Sequence, residues 1–180
     1  MKRFLVLVLT AGFLLQAGAV QAELKVGYIN SELIKEKLPE FKDIRRQLDQ
    51  LRQQYEREAS ERESKLIKFQ DDLRKQELLM SEARKAEMRA QLEEQIRQLQ
   101  EFVQQKLGSE GELMRKNIEL SSPVLEKINA ALEEMAKDDG YDFIFDVAAA
   151  AIVYSPERYD VTEDLLKRLA DQREKVEGEQ

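Results

Sequence analysis

The sequence predicts an α+β protein, a small β-rich head from which a long antiparallel helical hairpin protrudes. Three observations predict it. Between residues 41 and 138, apolar side chains recur in steps of three or four along two successive runs, the spacing of helices with one apolar stripe each. The positions between them are dominated by Glu, Lys, Arg, Gln and Asp, good helix formers with solvated tips, and 36% of the chain is charged. On either side lie short alternating segments, residues 25–30 and 141–146, that read as strands. A rod this polar cannot build a thick core. Its stripe must bury against a second rod or stay partly open for something else.

The first 22 residues stand apart. Lys2 and Arg3 precede an apolar run of about a dozen residues, and Val20-Gln21-Ala22 offers small residues where a signal peptidase cuts. The run is short for a bilayer span, which needs about 20 apolar residues. We read residues 1–22 as an export signal cleaved after Ala22, which places the mature chain in the periplasm. No cysteine follows the run, which argues against a lipid-anchored form. The chain contains neither cysteine nor histidine. That removes disulfides, thiol chemistry, the commonest general base and the commonest transition-metal ligand. Loss of Lys2 and Arg3 takes the net charge from −7 to −9, so the mature chain has no overall attraction for nucleic acid. No later segment is apolar enough to span a bilayer.

The elements follow in order. Lys25-Val26-Gly27-Tyr28-Ile29-Asn30 is the first strand, and Ser31 is placed to cap a helix through Leu33 and Ile34. Pro39 interrupts that helix. The outgoing rod then carries Phe41, Ile44, Leu48, Leu51, Tyr55, Leu66, Phe69 and Leu73 without glycine or proline to about Arg84. That is roughly 45 residues, or about 68 Å. The tip falls within residues 79–89, and Ser81-Glu82 can restart a helix. The return rod carries Met88, Leu92, Ile96, Leu99, Val103, Leu107, Met114, Ile118, Val124, Ile128, Leu132 and Met135. It also holds three helix breakers, Gly108, Gly111 and Pro123, where the outgoing rod has none. That imbalance marks 108–111 and 121–123 as places for the arm to bend. Gly140 sits where a helix C-terminus wants glycine. Phe143 and Phe145 share one face of a strand, Ile152-Val153-Tyr154 reads as another strand closed by Pro156, and the alanines of 148–151 as loop and strand start. Residues 160–164 open a last helix with a cap and an acidic first turn, with Leu165, Leu166 and Leu169 on its buried face. The tail, 175–180, reads as frayed. The head is thus 23–40 with 139–174 and the arm 41–138. A lone sheet this small with open edges is marginal, and pairing with copies of itself is the remedy.

Catalysis finds no support. The paired acids Asp71-Asp72, Glu93-Glu94 and Asp138-Asp139 are adjacent helix residues pointing about 100° apart, so they do not converge on one proton or metal. There is no nucleophile–base set, phosphate-binding glycine loop or metal-ligand spacing, and no cofactor is expected.

Several segments resemble the periplasmic chaperone Skp (OmpH-like) family. Val26-Gly27-Tyr28-Ile29-Asn30 is similar to the family's opening strand, and Leu38-Pro39-Glu40 to its Pro-Glu pair before the long helix. Leu79-Met80-Ser81-Glu82-Ala83 resembles the tentacle tip of relatives. Ser122-Pro123-Val124-Leu125-Glu126-Lys127-Ile128 resembles the segment re-entering the head. The C-terminal block matches in Gly140-Tyr141-Asp142-Phe143-Ile144-Phe145-Asp146, then Ile152-Val153-Tyr154, then residues 160–169. Two departures stand out. The stretch from Asp146 to Tyr154 is about two residues longer, with alanines in place of a Gly or Asn turn. The body is acidic where some relatives are basic, which argues against lipopolysaccharide or anionic-lipid contact. The tip alone, with Arg74, Lys75, Arg84, Lys85 and Arg89, is mildly basic.

The resemblance implies a homotrimer with three tentacles around a cavity, an ATP-independent holdase that captures unfolded outer-membrane proteins. Many weak apolar contacts suit such clients, whose strands alternate polar and apolar residues. Apolar residues off the main stripe are the candidate client contacts: Ile67, Leu78, Leu79, Met80, Met88 and Phe102, each of which could instead pack between the rods. Val26, Tyr28, Phe143, Phe145, Ile152 and Tyr154 are the candidate subunit contacts. Gly108, Gly111 and Pro123 are the candidate hinge. The alternative is a structural coiled-coil or adaptor protein of the envelope. That reading calls for a strict heptad, whereas Arg62, Gln76 and Glu110 interrupt this stripe.

Overall fold

A computed structural model describes residues 24–149 and 152–178. The elements run β1 (Val26–Ile29), α1 (Ser31–Lys37), α2 (Pro39–Gln76), α3 (Glu82–Leu107), α4 (Glu112–Asp139), β2 (Phe143–Asp146) and α5 (Thr162–Gly178). Short 3-10 turns occupy Glu77–Leu79 and Glu157–Tyr159. The expected export signal and its cleavage site lie outside the described residues.

Local chemistry sets each boundary. Asn30, not Ser31, caps α1. Its Oδ1 accepts from the backbone N–H groups of Glu32 and Leu33, both at 3.1 Å. Ser31 is already helical, and its own N–H donates to Asp146 Oδ1 at 3.2 Å. Pro39 forces Leu38 into extended backbone (φ −65°, ψ 126°) and takes the first position of α2, where no amide is needed. The 38 residues of α2 make a rod about 57 Å long. It ends at Gln76 and not near Arg84. Met80 is extended (ψ 148°), and Ser81 Oγ accepts from the Arg84 N–H at 3.3 Å to start α3. The tip is therefore 77–81, turned without any glycine or proline. α4 runs unbroken through Pro123 to Gly140, whose φ of +69° is the left-handed helix stop that favours glycine.

The two strands are parallel, with Val26 opposite Phe143, Gly27 opposite Ile144, Tyr28 opposite Phe145 and Ile29 opposite Asp146. The entire arm is the crossover between them. On the other edge of β1, Tyr28 bridges Asp160, and the Val161 N–H donates to the Tyr28 carbonyl at 2.9 Å. Residues 152–154, expected to be a third strand, join no sheet among the described residues. Alanines 148 and 149 lie in a turn, and 150–151 are outside the described residues. The tail expected to fray from Lys175 continues as helix to Gly178.

The core lies where head meets arm. Ile29, Ile34, Leu38, Phe41 and Ile44 pack with Ile128, Ala131 and Met135 of α4 and with Val161, Leu165 and Leu169. Met135 and Leu165 are completely buried, each worth about 2 kcal/mol or more in apolar transfer. Thr162 is buried among them. Its Oγ1 accepts from the Asn30 N–H at 3.0 Å and donates to Asp160 Oδ1 at 2.5 Å, which ties the end of β1 to the start of α5. At the root of the arm Lys127 Nζ donates to Glu40 Oε1 at 3.1 Å.

Candidate functional site

Three regions of the surface depart from what a folded monomer needs. The first is one face of the sheet. Alternation turns Gly27, Ile29 and Ile144 toward the core and leaves Val26, Tyr28, Phe143 and Phe145 together on the opposite face. Phe143 and Phe145 are about half exposed, with ring centroids 6.1 Å apart and planes 19° from parallel. Burial, then the charge of Asp160, raises the Tyr28 phenol above its ordinary value. Ile152 and Tyr154 are also exposed, and Val153, which sequence reading passed over, is fully so. The structure thus brings four of the six expected subunit contacts onto one face and places Ile152 and Tyr154 in the loop after β2.

The second region is the arm. At its tip Leu78 and Leu79 are 94% and 90% exposed, and Ile67 is half exposed. Met80 and Met88 are partly covered. Phe102 is the exception among the candidate client contacts. It is buried edge-on to Tyr55 (6.4 Å, 88°) under the Arg62 guanidinium, so it belongs to the packing of the arm. That stacking also explains how Arg62 sits within the stripe, held besides by Glu58 at 2.6 Å. The return rod exposes four apolar residues assigned to the buried stripe, Ile96, Val103, Met114 and Ile118, together with Leu125 beside the stripe residue Val124. The signal was present in the adjacent pairs Phe102-Val103, Leu113-Met114 and Val124-Leu125. Neighbours on a helix point about 100° apart and cannot share a narrow seam. One recess between the rods, about 660 Å³, is lined mainly by polar and charged residues, Arg57, Glu58, Glu61, Arg62 and Lys65 among them, with Leu99 its one apolar side chain. A smaller one of about 240 Å³ at the break is lined by Leu48, Leu107, Leu113 and Met114 among others. At the tip, Arg74, Arg84, Lys85 and Arg89 pair with Asp71, Glu87, Glu82 and Glu77, which spends much of the basic charge locally.

The third region is a break in the return rod. Residues 108–111 form a turn in which the Gly111 N–H donates to the Gly108 carbonyl at 2.9 Å. Both glycines have ordinary negative φ; they are required by close approach. A Cβ on Gly108 would lie 2.3 Å from the Gln104 carbonyl oxygen, and one on Gly111 2.9 Å from the Gly108 backbone. Beside the turn, Tyr55 Oη donates to Glu112 Oε1 at 2.7 Å, and Lys106 Nζ donates to Glu112 Oε2. Lys106 and then the Tyr55 hydroxyl hold the Glu112 carboxyl below the usual carboxylate range. Burial, then the bond to Glu112, pushes the Tyr55 phenol up to about 12. Sequence reading counted Tyr55 as a stripe residue and passed over Lys106 and Glu112, since nothing local links residues 57 apart. Of the three expected hinge residues, Gly108 and Gly111 sit in this break and Pro123 within continuous helix.

Among the described residues no group of three or more acids could hold a metal ion, and no helix is long and apolar enough to cross a membrane. The chain matches the family described as outer membrane protein (OmpH-like) over residues 25–169. A protein named chaperone protein Skp from Pectobacterium atrosepticum is 29% identical over 163 residues, covering 88% of this chain and 93% of its own length. One of the same name from Yersinia enterocolitica is 28% identical over 162 residues, with the same coverage. A crystal structure of an OmpH-like protein from Caulobacter crescentus CB15 shares the fold, with a TM-score of 0.69 at 15% identity over 84% of this chain and 86% of that one. With a match that takes in β1, both rods of the arm, β2 and the first half of α5, the chain belongs to the OmpH-like family.

Proposed function

We propose that this chain is an ATP-independent holdase chaperone of the periplasm, which captures unfolded outer-membrane proteins between its arms and keeps them soluble. The observation that carries the reading is the run of exposed apolar residues along the return rod and tip. Ile96, Val103, Met114, Ile118 and Leu125 continue toward Leu78, Leu79, Met80 and Met88, with Ile67 on the outgoing rod. Scattered, half-exposed contacts without a deep pocket suit an unfolded chain whose apolar residues alternate with polar ones. Methionine adapts its thioether to varied partners. Chaperone and client both acidic would repel, so apolar burial drives the binding.

The sheet face of Val26, Tyr28, Phe143 and Phe145, with Ile152 and Tyr154 beside it, is the proposed trimer contact. Three arms raise the effective concentration of weak sites, so binding is tight while each contact exchanges quickly. The break at Gly108 and Gly111 is the proposed hinge, with Pro123 as a secondary bend, widening the cavity for larger clients. Nothing in this mechanism calls for a catalytic group. The test is native mass by light scattering, on the mature protein alone and after a urea-unfolded outer-membrane barrel is diluted into it. A trimer that gains the mass of one client and keeps it in solution supports the proposal. A client that precipitates beside an unchanged oligomer overturns it in favour of a structural adaptor.

A further inference from the structure

Bending two packed rods requires one to lengthen or shorten against the other. α2 is continuous and free of glycine and proline after Pro39, so it can only flex. The return rod is interrupted at 108–111, which supplies the slack. Three side chains gather at that slack, one from each helix it concerns. Tyr55 comes from the middle of α2, Lys106 from the last turn of α3 and Glu112 from the first turn of α4. One carboxylate serves both partners, taking the Tyr55 hydroxyl on Oε1 and the Lys106 ammonium on Oε2. It also sits at a helix N-terminus, where negative charge is favoured. Tyr55 is 5% exposed and its ring is braced edge-on by Phe102, over whose ring the Arg62 guanidinium stacks. The carboxylate and ammonium are only partly covered, so water can replace either bond. The footing is fixed and the bonds are replaceable.

We propose that Tyr55, Lys106 and Glu112 form a clasp that holds the arm at its break, and that release of this clasp frees the distal arm to bend. It rests on the reading of 108–111 as the hinge. Because the chain has no cysteine, spin labels can be placed at exposed Gln91 and Glu126, on either side of the break, in full-length mature protein diluted with unlabelled chain. Tyr55→Phe keeps the buried ring and removes only the hydroxyl; Glu112→Gln removes the charge. The expected result in each variant is a broadened label distance. The Gly108, Gly111 and Arg115 amides should also exchange about fivefold faster, the scale of one net hydrogen bond. Helix content should be unchanged, and if Glu112→Gln perturbs folding, Tyr55→Phe decides. The clasp is overturned if either readout stays at the parent value in both variants. The hinge reading is tested separately by Gly108→Ala/Gly111→Ala, whose new Cβ atoms the broken turn cannot hold. An unchanged distance distribution there sinks the hinge, whereas a changed one with inert Tyr55 and Glu112 variants sinks the clasp alone.

Discussion

The residues that matter most to this molecule act by joining distant parts of the chain. Thr162 is 132 residues from Asn30, yet its hydroxyl is the acceptor for the Asn30 amide at the point where β1 ends. Replacing it with valine keeps the shape but leaves that part-buried N–H without its acceptor, a cost of about 1 kcal/mol. We expect Thr162→Val to lower the midpoint of urea unfolding with an unchanged slope, and an unmoved midpoint would count against the tie. Tyr55 makes the corresponding join in the arm and gives a pH signature. Its phenol is raised from 10 to about 12, chiefly by burial and then by Glu112. The fold therefore favours the protonated phenol. That contribution is complete below pH 10, where the unfolded chain also keeps its proton, and drains away as pH rises from 10 to 12. The phenolate absorbance of the parent minus that of Tyr55→Phe should titrate near 12. A difference titrating near 10 would mean that the ring is not buried beside Glu112 in solution.

At the scale of elements, what could be read from sequence was what local spacing controls. The two rods, the head strands 26–29 and 143–146, the Ser81 cap and the Gly140 stop follow from periodicity and end chemistry confined to a few residues. One of the misses has its cause in distance. Asn30 caps α1 in place of Ser31 because the Ser31 amide is taken by Asp146, 115 residues away. Residues 152–154 have strand-like composition but join no sheet: Asp160 takes the far edge of β1, and no described residue pairs with the outer edge of β2. Pro123 passes within α4, where Ser122 Oγ donates to the Ile118 carbonyl at 2.8 Å, while two glycines in a tight turn do break the rod. The arm surface was half legible. Leu78 and Leu79 are as open as expected, but Phe102 is buried, and the exposed row of the return rod was hidden by treating a broad apolar arc as one seam.

For the whole molecule, the division of labour between head and arm becomes separable by mutation. The sheet face and the return rod expose comparable apolar groups on different elements, β1 and β2 in one case and α3 and α4 in the other. Phe143→Ser/Phe145→Ser takes from each chain two rings worth about 2 kcal/mol apiece when buried. A closed oligomer counts that loss once per interface, so the native mass should fall to that of the 21.0 kDa chain or its mature form. Ile118→Ser/Leu125→Ser touches no residue of the head face and should leave the mass of the assembly unchanged. On the proposed mechanism each arm then loses two weak contacts and several arms share one client, so the losses multiply and retention should shorten by about tenfold or more. Retention is read as the rate at which a labelled, urea-unfolded barrel protein exchanges into excess unlabelled chaperone. If the arm variant holds its client as long as the parent, the exposed row of the return rod is not the binding surface. If the head variant keeps its native mass, the sheet face is not the contact between copies. Either result leaves the other half of the proposal standing, because the two surfaces share no residue.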